Sequence, residues 1–423
     1  MSVRKISAEI VIIGAGPAGI AAAAASFAAG KRAIVIDDNP AVGGQIWRGY
    51  SLIRMLKEGK ITGIVGKNPQ WMPEMFPGIS ISDCSEPGIL FGEAEYGTVR
   101  ISYGKLILAT GARERFLPFP GWTLPNVTGV GGLQALVKSG YSIAGKRVVI
   151  AGTGPLLPAV AVALKASGAR VAAIIEQATA SRINGFARQL LRWPTKFVQA
   201  IGLHRALAGI PYWKSSWVVE AHGVRRVESV RIRRNGVLQE MDCDHLACAY
   251  NLVPNLELPE LLGCSLDDHG VVVSEIQEST LGGVFAAGEV TGIGGMDLSV
   301  TEGLIAGYAA SGVREISESL FKRRERQRMF ARELERTFQL REELRQLPGE
   351  NTFVCRCEDV PYSSVRAQTS WRAAKLQTRC GMGLCQGRIC GSSAAFLFGW
   401  GRPGVRPPLV PVRADSFCGS ERE

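Results

Sequence analysis

Histidine is scarce in this chain: it has 4, at His204, His222, His245 and His269. No serine–histidine–aspartate arrangement builds around them, so each is read as structural or exposed and a triad hydrolase is excluded. No run reaches the ~18 consecutive apolar residues of a membrane-spanning helix. The apolar start after Arg4 and Lys5 imitates a signal peptide, but Gly14, Gly16, Pro17 and Gly19 fall inside it and cleavage would cut a working motif. The chain is therefore read as cytoplasmic. An aromatic-studded basic module is also missing, so the net charge of +11 is not read as nucleic-acid binding. Anionic lipid, an acidic partner or several bound phosphates fit that charge instead.

What is present is a balance of 46% apolar and 21% charged residues over 423 positions, enough for two or three domains. The 50 glycines are concentrated where the backbone must turn tightly. The run Glu9–Ile13 predicts a strand that ends at Gly14-Ala15-Gly16-Pro17-Ala18-Gly19. An Ala-rich helix over Ile20–Ala29 follows, then a strand over Ala33–Ile36 closed by Asp37 and Asp38. This is a βαβ unit with a dinucleotide fingerprint. Gly14 serves the turn, Gly16 the approach of a pyrophosphate, and Gly19 the packing of helix on strand. Asp37 is placed to accept hydrogen bonds from an adenosine ribose.

The pattern recurs downstream. Lys146–Ile150 leads into Gly152-Thr153-Gly154, a helix is expected over Ala159–Ser167, and a strand over Val171–Ile175 ends at Glu176. Leu157 holds the third glycine position and Pro158 follows it. Glu176 is the candidate ribose acceptor, and the site is left open to NAD, to a structural ATP-like nucleotide, or to no nucleotide at all. Two further strands end in Ala109-Thr110-Gly111 and in Gly288-Glu289, the latter before a helix from about Leu298. The order of these motifs resembles the flavoproteins of the glutathione-reductase class, which implies FAD and two interleaved Rossmann-like α/β domains. Glu289 replaces that class's usual aspartate. Disulfide reductases of the class carry a redox cysteine pair, yet none stands near Gly43–Arg48 and residues 113–200 contain no cysteine. A dithiol mechanism is excluded.

From Glu315 to Gln346 the sequence turns Arg/Glu-rich, and Leu320, Met329, Phe330, Leu334, Phe338 and Leu344 recur at near-helical spacing. One long linker helix is predicted, stopped by Pro348-Gly349. Beyond it, Cys355, Cys357, Cys380, Cys385 and Cys390 crowd into one short segment, which points to metal before disulfides in a cytosolic chain. Four thiolates on glycine-rich loops suit a [2Fe–2S] cluster, with zinc as the competing occupant. The module resembles bacterioferritin-associated ferredoxins. That resemblance implies Cys355, Cys357, Cys385 and Cys390 as ligands, with Cys380 spare or alternative. Cys84, Cys243, Cys248, Cys264 and Cys418 read as buried small hydrophobes or incidental thiols.

The expected organisation is an FAD domain at 1–120 and 245–314, a second dinucleotide domain at 121–244, a linker helix at 315–350, a ferredoxin-like module at 351–400 and an extended Pro-rich tail at 401–423. Nearly the whole chain resembles the α subunits of heteromeric bacterial amino-acid and opine dehydrogenases, relatives of octopine and nopaline oxidase, D-hydroxyproline dehydrogenase and hydrogen cyanide synthase. The matching motifs are Gly43–Arg48, Ala109–Glu114, Gly121–Pro125, Leu252–Asn255, Ala287–Gly292 and Cys380–Arg388. The resemblance implies cofactor contacts at Gly44 and Gln45, FMN at an interface with a partner chain, and a β subunit like D-amino-acid or sarcosine oxidases that oxidises the substrate. It leaves room for a quinone-linked acceptor at the membrane and for a small third subunit. The chain's own role would be electron transfer. A self-sufficient NAD(P)H oxidoreductase and a non-catalytic nucleotide-binding scaffold are the rival readings.

Overall fold

The structure is a computed structural model that describes residues 3–48, 72–414 and 416. The sequence between Ser51 and Thr98, rich in Pro, Gly and Ser, reads as an irregular connection with short strands; as far as residue 71 it lies outside the described residues, as do Cys418 and the end of the Pro-rich tail. From residue 74 the expected short strands appear, at Glu74–Pro77, Ser80–Asp83 and Ile89–Ala94. Among the described residues no helix is long and apolar enough to cross a membrane.

The chain divides into two compact units. The first holds Met1–Arg113, Pro254–Ala331 and Gly404–Glu423. Its sheet runs Glu74–Pro77, Ala33–Asp37, Arg4–Ile13, Gly97–Leu108, Ile89–Ala94, Ser80–Asp83, and Val284–Ala286 also pairs with Gly97–Leu108. The pairings around Arg4–Ile13 are parallel, with Ile10 opposite Ala33 and Ile13 opposite Leu108. Parallel strands are covered on both faces, which is why Ile10, Val11, Ile12 and Ile13 form an unbroken buried run. The helix Pro17–Ala28 starts on Gly16 with Pro17 in its first turn, where a missing N–H costs nothing.

That helix packs against Gly295–Ala310 through small residues. A Cβ on Gly303 would stand 2.2 Å from the Ala18 carbonyl oxygen, and one on Gly307 2.3 Å from that of Ala22. The obstacle is backbone in both cases, so no side-chain rotation relieves it. Gly303→Val is expected to lower stability by about 3 kcal/mol, the upper part of the range for overpacked cores, read as a lower urea midpoint.

The second unit holds Glu114–Val253 and Arg332–Pro403. Its parallel sheet runs Tyr212–Trp213, Arg170–Glu176, Arg147–Thr153, His245–Tyr250, Val127–Gly129. An antiparallel meander of Ser216–His222, Ser229–Arg234 and Val237–Asp242 adjoins it in sequence. The cysteine segment folds as a small hairpin, Phe353–Cys355 with Val360–Pro361, followed by helices Tyr362–Arg366, Trp371–Thr378 and Cys390–Phe398.

The predicted linker helix is shorter than its sequence pattern. It spans Glu318–Thr337, and a separate 3₁₀ turn covers Glu342–Gln346. Phe338 to Arg341 leave the helix because their backbone groups bond to Thr153, Gln177 and Asn251, far away in sequence. Tertiary partners here override local periodicity.

Candidate cofactor sites

In the first unit the three fingerprint glycines have separable environments. Gly14 has φ +107°, and a Cβ there would lie 2.2 Å from the Ala109 carbonyl oxygen. A Cβ on Gly19 would lie 1.8 Å from the Gly14 carbonyl oxygen. A Cβ on Gly16 would meet nothing within 4 Å. Protein packing thus requires glycine at 14 and 19 but not at 16, where the open space adjoins the N-terminus of the helix Pro17–Ala28. A helix N-terminus with free N–H groups favours phosphate.

Asp37 stands at the end of its strand as expected. Its Oδ2 accepts from Ala15 N at 2.5 Å, and its Oδ1 accepts from Asn39 N at 2.7 Å and Asn39 Nδ2 at 2.9 Å. The carboxylate therefore fixes the glycine turn, and its remaining lone pairs are what a ribose can use. Asp38 is exposed and accepts from Asn39 Nδ2 at 2.8 Å. The Gly43-Gly44-Gln45 loop rests on the same turn: Gly43 N donates to Ala15 O at 2.9 Å, and a Cβ on Gly44 would lie 3.1 Å from Gly16 Cα.

Two residues to which the sequence pattern assigns no role hold the other turns. Asn255 clamps Ala109-Thr110-Gly111: its Nδ2 donates to Thr110 O at 2.8 Å, its N to Gly111 O at 2.9 Å, and its own carbonyl accepts from Thr110 Oγ1 at 2.9 Å. Arg113 holds Asn255 Oδ1 at 2.7 Å and pairs with Glu257 at 2.8 Å. Glu302, buried in the helix Gly295–Ala310, accepts from Gly288 N at 3.0 Å and Thr291 Oγ1 at 2.8 Å and pairs with Arg328 at 3.0 Å. Burial raises its carboxyl while Arg328 lowers it. An acid set just before Gly303-Leu304-Ile305-Ala306, away from the helix's first turn where Asp297 lies, was the signal available in the sequence. Glu289 itself is partly exposed; burial raises its carboxyl and the Gly295 N–H opposes that.

The second fingerprint differs. Gly152 has φ +134° and a Cβ there would lie 1.8 Å from the Ala249 carbonyl oxygen, so its turn is intact. Glu176 offers no surface to a ribose: it is wholly buried. Its Oε1 accepts from Thr153 Oγ1 at 2.7 Å and Ala178 N at 2.8 Å, and its Oε2 from Gly154 N at 2.8 Å. Leu157, in the third glycine position, is core.

Burial pushes the Glu176 carboxyl up to about 7, more than its hydrogen-bond donors pull it down. The unfolded value is about 4.3, so folding favours the protonated form. Its contribution is full below about pH 4.3 and is lost as pH rises through about 7, amounting to about 4 kcal/mol. Wild type should lose urea resistance between about pH 5 and pH 8 relative to Glu176→Gln, which lacks the titration.

In the cysteine segment, Cys355, Cys380 and Cys390 are buried with their sulfurs all within 4.8 Å of one another. The Cys380 and Cys390 thiols donate toward Cys355, lowering it to about 2 and pushing Cys380 to about 12 and Cys390 higher still. Cys357, exposed, and Cys385, half-buried, form a second neighbouring pair. A cavity of about 170 Å³ is lined by Phe116, Trp122, Cys355, Arg356, Cys357, Cys385, Ile389 and Cys390. Cys380 is not among its walls. Glycine is required around it: a Cβ on Gly383 would lie 2.4 Å from Cys357 Cβ, and one on Gly381 2.6 Å from the Trp371 ring.

A mixed and a parallel sheet, each with glycine turns at the carboxyl ends of its parallel strands, Asp37 closing one and the Ala109–Gly111 and Gly288 turns beside it, define a flavin-binding oxidoreductase built on two dinucleotide-type domains. More particularly, the chain belongs to the pyridine nucleotide-disulphide oxidoreductase family, whose pattern it matches over residues 8–303. It is 31% identical to the A subunit of the opine oxidase of Rhizobium meliloti (strain 1021), covering 96% of this chain and 97% of that protein. It is 29% identical to the HcnB subunit of the hydrogen cyanide synthase of Pseudomonas protegens, over 99% of each chain. Among solved structures it is similar in fold to L-proline dehydrogenase from P. horikoshii, with a TM-score of 0.67 and 19% identity over 98% of this chain and 80% of that one. It is also similar to T. acidophilum thioredoxin reductase, at 0.54 and 20% over 72% and 98%.

Proposed function

We propose that this chain is the electron-transfer α subunit of a hetero-oligomeric FAD-dependent dehydrogenase acting on a carbon–nitrogen bond of an amino acid, imino acid or opine. The observation that carries the reading is one polypeptide with a flavoprotein fingerprint open at Gly16 and a cavity walled by four cysteines. Full-length likeness to proteins named as subunits of opine oxidase and hydrogen cyanide synthase supports a partner chain. The partner we expect is a β subunit of the D-amino-acid or sarcosine oxidase type, with FMN at the interface, and a small third subunit is compatible with this. We place the complex in the cytoplasm, and a quinone-linked acceptor at the membrane is compatible with it.

The residues fit the groups this reading requires. When bound, FAD supplies two-electron and a [2Fe–2S] cluster one-electron chemistry. Gly14, Gly16, Pro17, Ala18 and Gly19 would receive the pyrophosphate, Asp37 the ribose, and Gly44, Gln45, Ala109, Thr110, Gly111, Gly288 and Glu289 the rest of the flavin nucleotide. Cys355, Cys357, Cys385 and Cys390 would hold the iron, since all four face one cavity. Phe116, Trp122 and Ile389 keep that cavity apolar, which limits water around the sulfurs.

The experiment is to purify the chain with the subunit encoded beside it and follow the visible spectrum on adding proline, hydroxyproline or an opine, then NADH. Bleaching by the imino acid only when the partner is present is the expected result. Bleaching by NADH in the lone chain would overturn the reading in favour of a reductase.

A further inference from the structure

In a doubly wound sheet a ligand binds outside the carboxyl ends of the strands, where the strand order reverses. In the second unit that point lies between Arg147–Thr153 and His245–Tyr250, because the chain builds outward from the former to Arg170–Glu176 on one side and has the latter on the other. The residues at these strand ends are Thr153, Gln177 and Asn251. All three are engaged by the chain that follows the helix Glu318–Thr337. Thr153 Oγ1, whose proton goes to Glu176, stands 3.5 Å from Phe338 O, and Asn251 Nδ2 donates to the same oxygen at 3.4 Å. Gln177 Nε2 donates to Gln339 O at 3.2 Å, and Gln177 Oε1 accepts from Arg341 N at 3.2 Å.

The Phe338 side chain completes the occupation. It is 7% exposed, its ring meets Phe186 edge-on at 5.8 Å, and its Cγ is the nearest atom to where a Cβ on Gly154 would stand, at 4.0 Å. Gly154 is the position at which a pyrophosphate would approach. The segment is also anchored beyond the cleft: the Arg341 guanidinium lies over the Trp217 ring at 4.9 Å, and Leu340, Leu344 and Leu347 join the core of the unit.

We propose that Phe338–Arg341 is a resident occupant of the second nucleotide cleft, held in cis, so that the chain binds no adenine dinucleotide there and takes no electrons from NAD(P)H. The segment supplies backbone carbonyls and an N–H to the polar groups at the strand ends, and an aromatic ring to the phosphate position. This rests on the second unit alone and stands whether or not the relay reading does.

The test is calorimetric titration of the FAD-loaded full chain with NADH, NADPH and ATP. Wild type should show no saturable binding tighter than about 1 mM, the weak end of ordinary substrate affinities. Phe338→Ala, which removes the ring, should gain at least about tenfold in affinity for one of the three. Phe338→Leu serves if the alanine variant does not fold. Saturable binding by wild type that disappears in Gly154→Ala would overturn the proposal, and so would a folded Phe338 variant that binds no better than wild type. Neither result touches substrate-driven bleaching with the partner subunit, so the two readings fail separately.

Discussion

Cys357→Ser, Cys385→Ser and Cys390→Ser are each expected to cut the iron content of the purified chain at least about tenfold and to remove its cluster absorbance, whereas Cys380→Ser keeps both. A [2Fe–2S] cluster needs two sulfurs on each iron, so loss of one thiolate leaves an open coordination position. Cys355, Cys357, Cys385 and Cys390 all wall one cavity, whereas Cys380 is fully buried and not among its walls. The opposite grouping is equally concrete. Cys355, Cys380 and Cys390 have their sulfurs within 4.8 Å of one another, the closeness a tetrahedral zinc would draw on. Iron analysis and the visible spectrum of the Cys357 and Cys380 variants separate the two. Iron retained by Cys357→Ser and lost from Cys380→Ser would assign the ligands to the buried trio and sink the four-thiol assignment. Zinc in place of iron in wild type would remove the electron carrier from the proposal altogether.

The two βαβ units were legible in the sequence because each is written in adjacent residues: an apolar run, a glycine turn, a helix former and a second run. The strands Ala33–Asp37, Arg147–Thr153 and Arg170–Glu176 therefore fall close to where the pattern puts them, and the strand expected over Glu9–Ile13 ends as expected but begins earlier, at Arg4. What was not legible depends on partners far apart in the chain. The helix predicted to run on to Gln346 ends at Thr337, because the groups that take Phe338–Arg341 out of it lie on Thr153, Gln177 and Asn251. Near-helical spacing carries Phe338 into the predicted helix and cannot report that its ring covers Gly154. Glu176 shows the same limit. Its place at a strand end was predictable, but its complete burial follows from Thr153, Ala178 and Tyr212 enclosing it. Asn255 stands out in the sequence only as part of a motif, and its clamp on Thr110 and Gly111 needs the fold to be seen.

Gly16→Val should sharply weaken flavin binding while leaving the flavin-free fold intact. The backbone at Gly16 is extended, with φ −75° and ψ −175°, a conformation that any residue adopts. A Cβ there touches no protein atom within 4 Å, so neither strain nor a clash opposes the substitution. The added methyl groups instead fill the space in front of the helix N-terminus, where a pyrophosphate must come close to the backbone. We expect FAD affinity to fall about a thousandfold, equivalent to about 4 kcal/mol. Gly14→Ala supplies the contrast. Its Cβ would stand 2.2 Å from a backbone oxygen at φ +107°, so it should lower apo stability by about 3 kcal/mol before any ligand is added. Thermal melts with and without FAD read both effects. In wild type, flavin at about 100 times its Kd should raise stability by about 2.7 kcal/mol. Gly16→Val should melt with apo wild type at flavin up to about 100 times the wild-type Kd, and flavin-free Gly14→Ala should melt below it. A Gly16→Val chain that still binds FAD tightly would mean that the pyrophosphate does not pass this glycine, and the flavin assignment of the first unit would have to be withdrawn.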